Sequence, residues 1–394
     1  MSELRTAAAL LQSPDAAGLL LVALTGDPAN ELPGFTTELT GWQYRPGAEV
    51  TAGYTVHYRD PSGARVTDYL YATSAPVGSP AATLARDGLE FGVWRHPHDP
   101  RLPGLAPACD PTTVLAWLAR AGGPAPSAFD LTLLGYRPLR RAVLRATADE
   151  AVSYVKVLRP DRADRLATRQ ELLAAAGLTP AVVARPAPGV LVTPAATGRP
   201  LAGLLAEPGS AEVPTAAALV ELLDRLPAGL AGLDLRPAWA DRLDFHAATA
   251  TQRLPAAADR IEALAATVQR QLDTAPVGPL VPTHGDFYEA NILVEGGRLS
   301  LIDLDAAGPG RREDDLACLL AHVAVLPPLS PFHYGHVPEL LEAWTGDFSA
   351  RVDPVALFAR VAAVVLSLVA GGADDQAEVR LALAEAWAAR ALAG

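Results

Sequence analysis

From residue 212 onward, apolar positions recur about every 3.6 residues, the period of a helix with one buried stripe. The pattern predicts helices over Ala216–Leu226, Ala240–Thr274, Arg312–Val325, Val337–Thr345 and Pro354–Ala393. One stretch, 279–309, breaks it. There, short apolar runs at Asn291–Val294 and Leu299–Leu304 flank Glu295-Gly296-Gly297-Arg298, which reads as a tight hairpin after a loop. The first half of the chain is patterned differently. A helix is expected near Ala16–Leu24, then strands at Glu49–Tyr58 and Ala64–Thr73 with Asp60-Pro61-Ser62-Gly63 turning between them. Pro-rich text at His96–Pro111 leads to a short helix, Pro111–Ala121, and Gly122-Gly123-Pro124-Ala125-Pro126 is the best linker candidate. A second pair of strands follows at Leu139–Ala146 and Ala151–Leu158 around the turn Thr147–Glu150. Then come a helix, Arg162–Ala176, short strands at Val182–Ala184 and Val190–Thr193, and a connector to Gly198.

The two strand pairs resemble each other. Tyr44-Arg45-Pro46 leads through a hairpin to Tyr69-Leu70-Tyr71, and Tyr136-Arg137-Pro138 leads to Tyr154-Val155-Lys156. A weak internal duplication would set Tyr71 where the second copy has Lys156. A chance match of Tyr-Arg-Pro is the equal alternative.

Composition narrows the class. The chain has 394 residues, half of them hydrophobic and under a fifth charged, which fits two or three globular units with ample core. A net charge of −12 argues against a nucleic-acid groove and fits a neutral or cationic small molecule better. Cys109 and Cys318 alone make neither a disulfide framework nor a structural zinc site. The N-terminus lacks the basic start of a signal peptide, and no apolar run stands out as long enough to cross a membrane, so a cytoplasmic protein without membrane attachment is expected. The sequence sets no oligomeric state. Lys156 is the sole lysine; every other base is arginine. A position that keeps lysine against that bias suits a compact point charge better than a planar fork.

The candidate chemistry lies in Thr283-His284-Gly285-Asp286-Phe287-Tyr288-Glu289-Ala290-Asn291 and, past the hairpin, Leu301-Ile302-Asp303-Leu304-Asp305. Phosphoryl transfer needs a carboxylate to orient the attacking hydroxyl, oxygen ligands to hold Mg²⁺ against the phosphates, and a positive charge on the phosphate oxygens. Asp286 suits the first role. Asn291 and Asp303 are hard oxygen ligands on the two edges of one hairpin and suit the second. Lys156 suits the third.

This pattern resembles the aminoglycoside phosphotransferase and choline kinase superfamily. The family's H-G-D-x-x-x-x-N loop appears as His284-Gly285-Asp286 with Asn291, its I-D-[FLW]-[DEG] segment as Ile302-Asp303-Leu304-Asp305, and its D-L-A helix start as Asp315-Leu316-Ala317. The resemblance implies an α+β, bilobal protein-kinase-like fold. It implies a small β-rich N-lobe at 126–200, a helical C-lobe at 201–394 and an extra N-terminal cap over 1–125. It implies ATP or another nucleoside triphosphate with Mg²⁺, Asp286 as catalytic base, Asn291 and Asp303 as metal ligands, Lys156 on phosphate with Glu171 as its helix partner, and Asp315 holding the loop. The acceptor is expected to be a hydroxyl of a sugar, amino sugar or aminoglycoside, the layout being similar in order to capped maltokinases and glucosamine kinases. A choline-like or other amino alcohol is the enzymatic alternative. A nucleotide-binding pseudokinase is the non-enzymatic one, weakened by the presence of the base, both metal ligands and the lysine.

One departure stands out. No glycine-rich loop precedes Lys156, and Arg140 and Arg141 stand near the start of its hairpin, so phosphates would be covered by backbone amides or by arginine. His284 reads as an anchor of the loop, and Asp305 as a contact to metal or substrate or as an acceptor for nearby backbone donors. Glu289, Glu313 and Asp314 read as substrate contacts or a solvated acidic rim, and Arg311-Arg312 as surface charge. His246, His322, His333 and His336 show no metal spacing.

Overall fold

The computed structural model describes residues 3–27, 29–45, 47–123, 125–371 and 374–393. Pro46 of the first Tyr-Arg-Pro and Pro124 of the linker lie outside them. The chain divides into two compact units, Met1–Ala167 with Val182–Ala195, and Thr168–Ala181 with Ala196–Gly394. The regions expected as cap and N-lobe fall largely in the first unit.

In the first unit, strands β1 (Thr36–Arg45), β2 (Glu49–Arg59), β3 (Arg65–Thr73), β4 (Ala82–Arg86) and β5 (Leu89–Arg95) form an antiparallel sheet in the order β1-β2-β3-β5-β4. Alternation decides its faces. Val50, Ala52, Tyr54 and Val56 of β2, with Leu70, Ala72, Phe91 and Val93, pack under two N-terminal helices, Glu3–Gln12 and Ala16–Thr25. Tyr54 satisfies its buried hydroxyl by donating to the Leu11 carbonyl. A second antiparallel sheet joins β6 (Phe129–Arg137), β7 (Arg141–Ala148), β8 (Ala151–Leu158) and β9 (Val190–Pro194) in that order. One face, carrying Ala142, Leu144, Val155, Val157, Val190 and Val192, buries against Leu105 and the helix Pro111–Arg120.

The two sheets share a register. β1 bulges between Leu39 and Gly41 and β6 between Leu133 and Gly135. The glycine after each bulge begins an equivalent row, Gly41–Gly53–Tyr71–Trp94 in the first sheet and Gly135–Val143–Lys156–Leu191 in the second. Tyr71 therefore occupies the position of Lys156. The Tyr-Arg pairs close both hairpins, Arg45 opposite Glu49 and Arg137 opposite Arg141, but lie at different distances from the bulge.

The other face of the first sheet meets the tip of the β6–β7 hairpin. Trp94, Ala75 and Leu139 form a small core with Tyr71 and Val77 beside it. The buried Asp99 carboxylate ties the junction, accepting from the Tyr136 hydroxyl at 2.6 Å and from the Leu139 amide at 2.7 Å.

The second unit is largely helical. The expected helix over Ala240–Thr274 is broken by Pro255, which cannot donate in a helix interior, into Leu243–Arg253 and Ala258–Thr274. The run from Pro354 breaks likewise, into Pro354–Leu368 and Asp374–Ala393 with a 3₁₀ turn at Val369–Gly371. Contrary to expectation, Pro354–Gly371 is long and apolar enough to cross a membrane by length and composition. It is mostly buried within the protein, and its Arg360 pairs with Asp314 at 2.8 Å. Val182–Ala184, expected as a strand, contributes only a bridge between Ala184 and Val192.

Candidate active site

The site of the second unit is built on short strands. β10 (Arg199–Pro200) pairs with β12 (Ile292–Glu295), which forms the expected hairpin with β13 (Arg298–Leu301). β11 (Val281–Thr283) pairs with β14 (Gly308–Gly310). Between β11 and β12 runs the loop carrying Asp286. Its backbone is fixed by Asp315, at the start of the buried helix Arg312–Ala324, whose two carboxylate oxygens accept from the amides of His284 and Gly285, each at 2.8 Å. Burial raises the Asp315 carboxyl to about 7, with the two amide donors pulling the other way. Gly285 turns the chain at φ +77°, and a Cβ there would meet the Ala306 carbonyl at 2.7 Å.

His284 is fully buried and is the anchor its position suggested. Its Nε2 lies 3.0 Å from the Ile302 carbonyl, which can only accept, so Nε2 carries the proton. Nδ1 is left to accept from the Asp286 amide at 3.3 Å. Burial lowers its pKa to about 4, which keeps the ring neutral at pH 7.

The amide of Asn291 is oriented by the same loop. Its Nδ2 donates to the Asp286 carbonyl at 3.0 Å, leaving Oδ1 as the acceptor able to meet a cation. Across the hairpin the Ile302 amide donates to the Asn291 carbonyl at 3.0 Å, which brings Asp303 alongside. Asp303 has φ +57°, a left-handed conformation uncommon outside glycine and asparagine, and such local strain clusters at functional sites. Among the described residues no group of three or more His, Cys, Asp or Glu could enclose a metal. An amide oxygen and a carboxylate are nonetheless a fitting donor set for Mg²⁺, which keeps waters and completes its shell with substrate phosphates.

Asp286, Asn291 and Asp303 are thus brought together in the second unit. Glu171 lies in that unit too, exposed on the helix Pro160–Ala175. Lys156 lies in the first unit, half-buried on β8. Alternation turns it to the face opposite the Val155 and Val157 core, between Val143 and Leu191.

Several neighbours differ from their sequence reading. The expected acidic rim is not solvated: Glu289 and Glu313 are buried, and Asp314 is held by Arg360 and caps the Arg311 amide. Burial raises Glu289 to about 7. Arg311 and Arg312 are half-buried rather than simple surface charge, and Arg312 bonds Asp224 at 2.8 Å. Tyr288 and His322 were missed. Their rings stack at 4.4 Å, and the Tyr288 hydroxyl is pushed up to about 12 by burial and then by the charges of Asp286 and Asp303. The buried Arg169, also missed, donates to the Ala307 carbonyl at 2.6 Å and fastens the segment after Asp305. Nothing in a helix with several arginines singles it out.

The family comparison gives the class, a small-molecule phosphotransferase. The chain belongs to the phosphotransferase enzyme family, whose model matches residues 95–337. No curated protein sequence matches it. Among solved structures it is similar to a glucosamine kinase, at 18% identity over 97% of each chain with a TM-score of 0.44. It is also similar to a choline/ethanolamine kinase family protein from Mesorhizobium loti, at 21% identity over 73% of this chain and 95% of that one, TM-score 0.44. A thermostable mutant of an aminoglycoside phosphotransferase, in complex with AMP-PNP and hygromycin B, is 18% identical over 71% of this chain and 98% of its own, TM-score 0.47.

Proposed function

We propose that the enzyme transfers the terminal phosphoryl group of ATP, or another nucleoside triphosphate, to a hydroxyl of a sugar, amino sugar or aminoglycoside. The observation that carries this reading is the loop itself. Asp315 and His284 fix the backbone that leads into Asp286, and the Asn291 amide is aimed by a hydrogen bond to the Asp286 carbonyl. Asp286 orients the acceptor hydroxyl and takes its proton as the new O–P bond forms and the bond to the β-phosphate oxygen breaks. Asn291 Oδ1 and Asp303 would hold Mg²⁺, which supplies charge neutralisation on the phosphates when bound. Lys156 takes a phosphate oxygen, and Glu171 is its proposed acidic partner. Residues 1–125 are proposed as a cap on an N-lobe over 126–200, with the C-lobe over 201–394.

The test is ATP consumption by purified protein with Mg²⁺ over sugars, amino sugars, aminoglycosides and amino alcohols. Turnover confined to amino alcohols would replace the acceptor class. Nucleotide binding without turnover on any acceptor, equal in parent and Asp286→Asn, would reject the reading.

A further inference from the structure

In protein kinases, a glycine-rich loop ahead of the lysine strand covers the nucleotide phosphates with its backbone. The corresponding segment here is the β6–β7 turn, Arg137-Pro138-Leu139-Arg140-Arg141, on the hairpin that places Val143 beside Lys156. The backbone at its tip has no donor to spare. Pro138 has none, the Leu139 amide is given to Asp99 at 2.7 Å, and the Arg140 amide is given to the Arg137 carbonyl at 3.0 Å. The turn is also held in place. Leu139 is left-handed at φ +64° and its side chain is buried with Ala75 and Trp94.

Its side chains are the reverse of its backbone. Arg137 and Arg140 are exposed. Neither guanidinium makes a hydrogen bond or ion pair among the described residues. Burial and then the charges of Arg45, Arg137 and Arg159 lower the Arg140 pKa, with Glu49 pulling the other way. Two of these neighbours have acids of their own: Arg45 bonds Glu49 at 2.9 Å, and Arg159 lies 4.0 Å from Asp161. Arg137 and Arg140 have none. Glu49 and Asp161 offset only part of this charge, and a ligand with several negative charges relieves the repulsion that is left. Guanidinium forks suit phosphate oxygens in particular.

We infer that Arg137 and Arg140, presented on a turn held by Asp99, bind the polyphosphate of the nucleotide in place of a glycine-rich loop. This rests on the proposed role of Lys156 as the phosphate-binding lysine. The cap side of the first unit then has a part in nucleotide binding, because it keeps the turn in the shape that presents the two arginines.

Calorimetry with Mg·ATP and with adenosine on the full chain tests this. Arg137→Gln and Arg140→Gln should each weaken ATP about tenfold, as expected for a charge-assisted contact. The pair together should weaken it more, while adenosine affinity and melting stay at the parent's values and Arg140→Lys recovers part of the loss. If the double variant binds ATP like the parent while Lys156→Met weakens it, the inference falls and the lysine reading stands. If neither change alters ATP affinity, the lysine reading falls and takes the inference with it. An equal loss of ATP and adenosine affinity would also overturn it, because the arginines would then not be reading phosphate.

Discussion

The first and second sheets use one register for opposite ends. In the first, the row after the bulge runs Gly41–Gly53–Tyr71–Trp94, and its face is filled. Tyr71 lies over Gly53, stacks on Trp94 at 5.7 Å and meets the Tyr136 ring edge-on at 5.0 Å. In the second, the row Gly135–Val143–Lys156–Leu191 has no aromatic ring, and an ammonium stands where the phenol would be. Aromatic side chains bring large buried area and specific ring geometry, so the first row serves as a joint. An ammonium beside Val143 and Leu191 makes no ring joint of that kind, and its compact charge suits the phosphate role proposed for it. The same four-stranded path is committed to packing in the first sheet and, on the proposed role of Lys156, serves chemistry in the second.

The sharpest way to break this contrast is to ask where activity resides. Asp286→Asn should lower kcat by about 10²–10⁴-fold with nucleotide binding retained, whereas Tyr71→Phe should stay within about twofold in the same steady-state assay. A large loss from Tyr71→Phe would show that the filled row is not merely a joint.

Acid should act on the second unit through three buried histidines, and burial lowers the pKa of His96 in the first unit as well. His246, His284 and His322 of the second unit are all depressed to about 4, burial being the first cause in each. Between about 6.5 and 4 these three rings bind protons in the unfolded chain and not in the folded one, so each lowers stability as pH drops through that window, opposed by Asp315 and Glu289, whose carboxyls burial raises to about 7. For His322 the fall from the usual 6.5 to about 4 corresponds to about 3 kcal/mol. His322→Phe, which keeps a ring against Tyr288, should flatten the fall in melting temperature between pH 7 and pH 5. An unchanged slope would show that His322 does not contribute.

The two rows can be compared directly by adding one methyl group to each. A Cβ on Gly53 would lie 2.7 Å from the Tyr71 ring, while one on Gly135 meets nothing within 4 Å. Gly53→Ala should cost about 1–3 kcal/mol in denaturant melts, and Gly135→Ala no more than about 0.5 kcal/mol. Equal costs would mean that the first row is not filled as described. A change that keeps charge should reach activity and leave the fold alone. Lys156→Arg should lower kcat/KM about tenfold with melting unaltered, since the wider fork replaces a point donor. Full activity would leave the sole lysine without a special role.

Much of this was legible before any coordinates. Helix-period text and the His284–Asn291 loop located the helical unit and its site, because a buried stripe and a fixed loop both impose a residue pattern. The row match between Tyr71 and Lys156 was visible in Tyr69-Leu70-Tyr71 against Tyr154-Val155-Lys156. The better anchor, Leu39-Thr40-Gly41 against Leu133-Leu134-Gly135, was overlooked because a bulge leaves only a glycine as its signature. β1 and β6 were missed altogether. Both are edge strands with mostly wet faces, so neither shows the alternation of a half-buried strand. Tyr288 and His322 were out of reach for another reason, since their stack joins a loop to a helix more than thirty residues further along the chain.

Leu139 carries a lesson for anyone who would shorten the enzyme. A branched residue held at positive φ stays there only while something outside the turn insists on it, here Asp99 on the amide and the Trp94 wall on the side chain. A fragment starting at the family match, residue 95, keeps Asp99 but loses that wall, and one starting at 126 loses both. Either fragment inherits a bent spring without its catch, and the turn relaxes toward an ordinary hairpin. Leu139→Gly is the substitution that removes the spring instead, because glycine adopts the bend without strain. A minimal catalytic core should therefore be built by softening this one residue first and trimming the N-terminus afterwards.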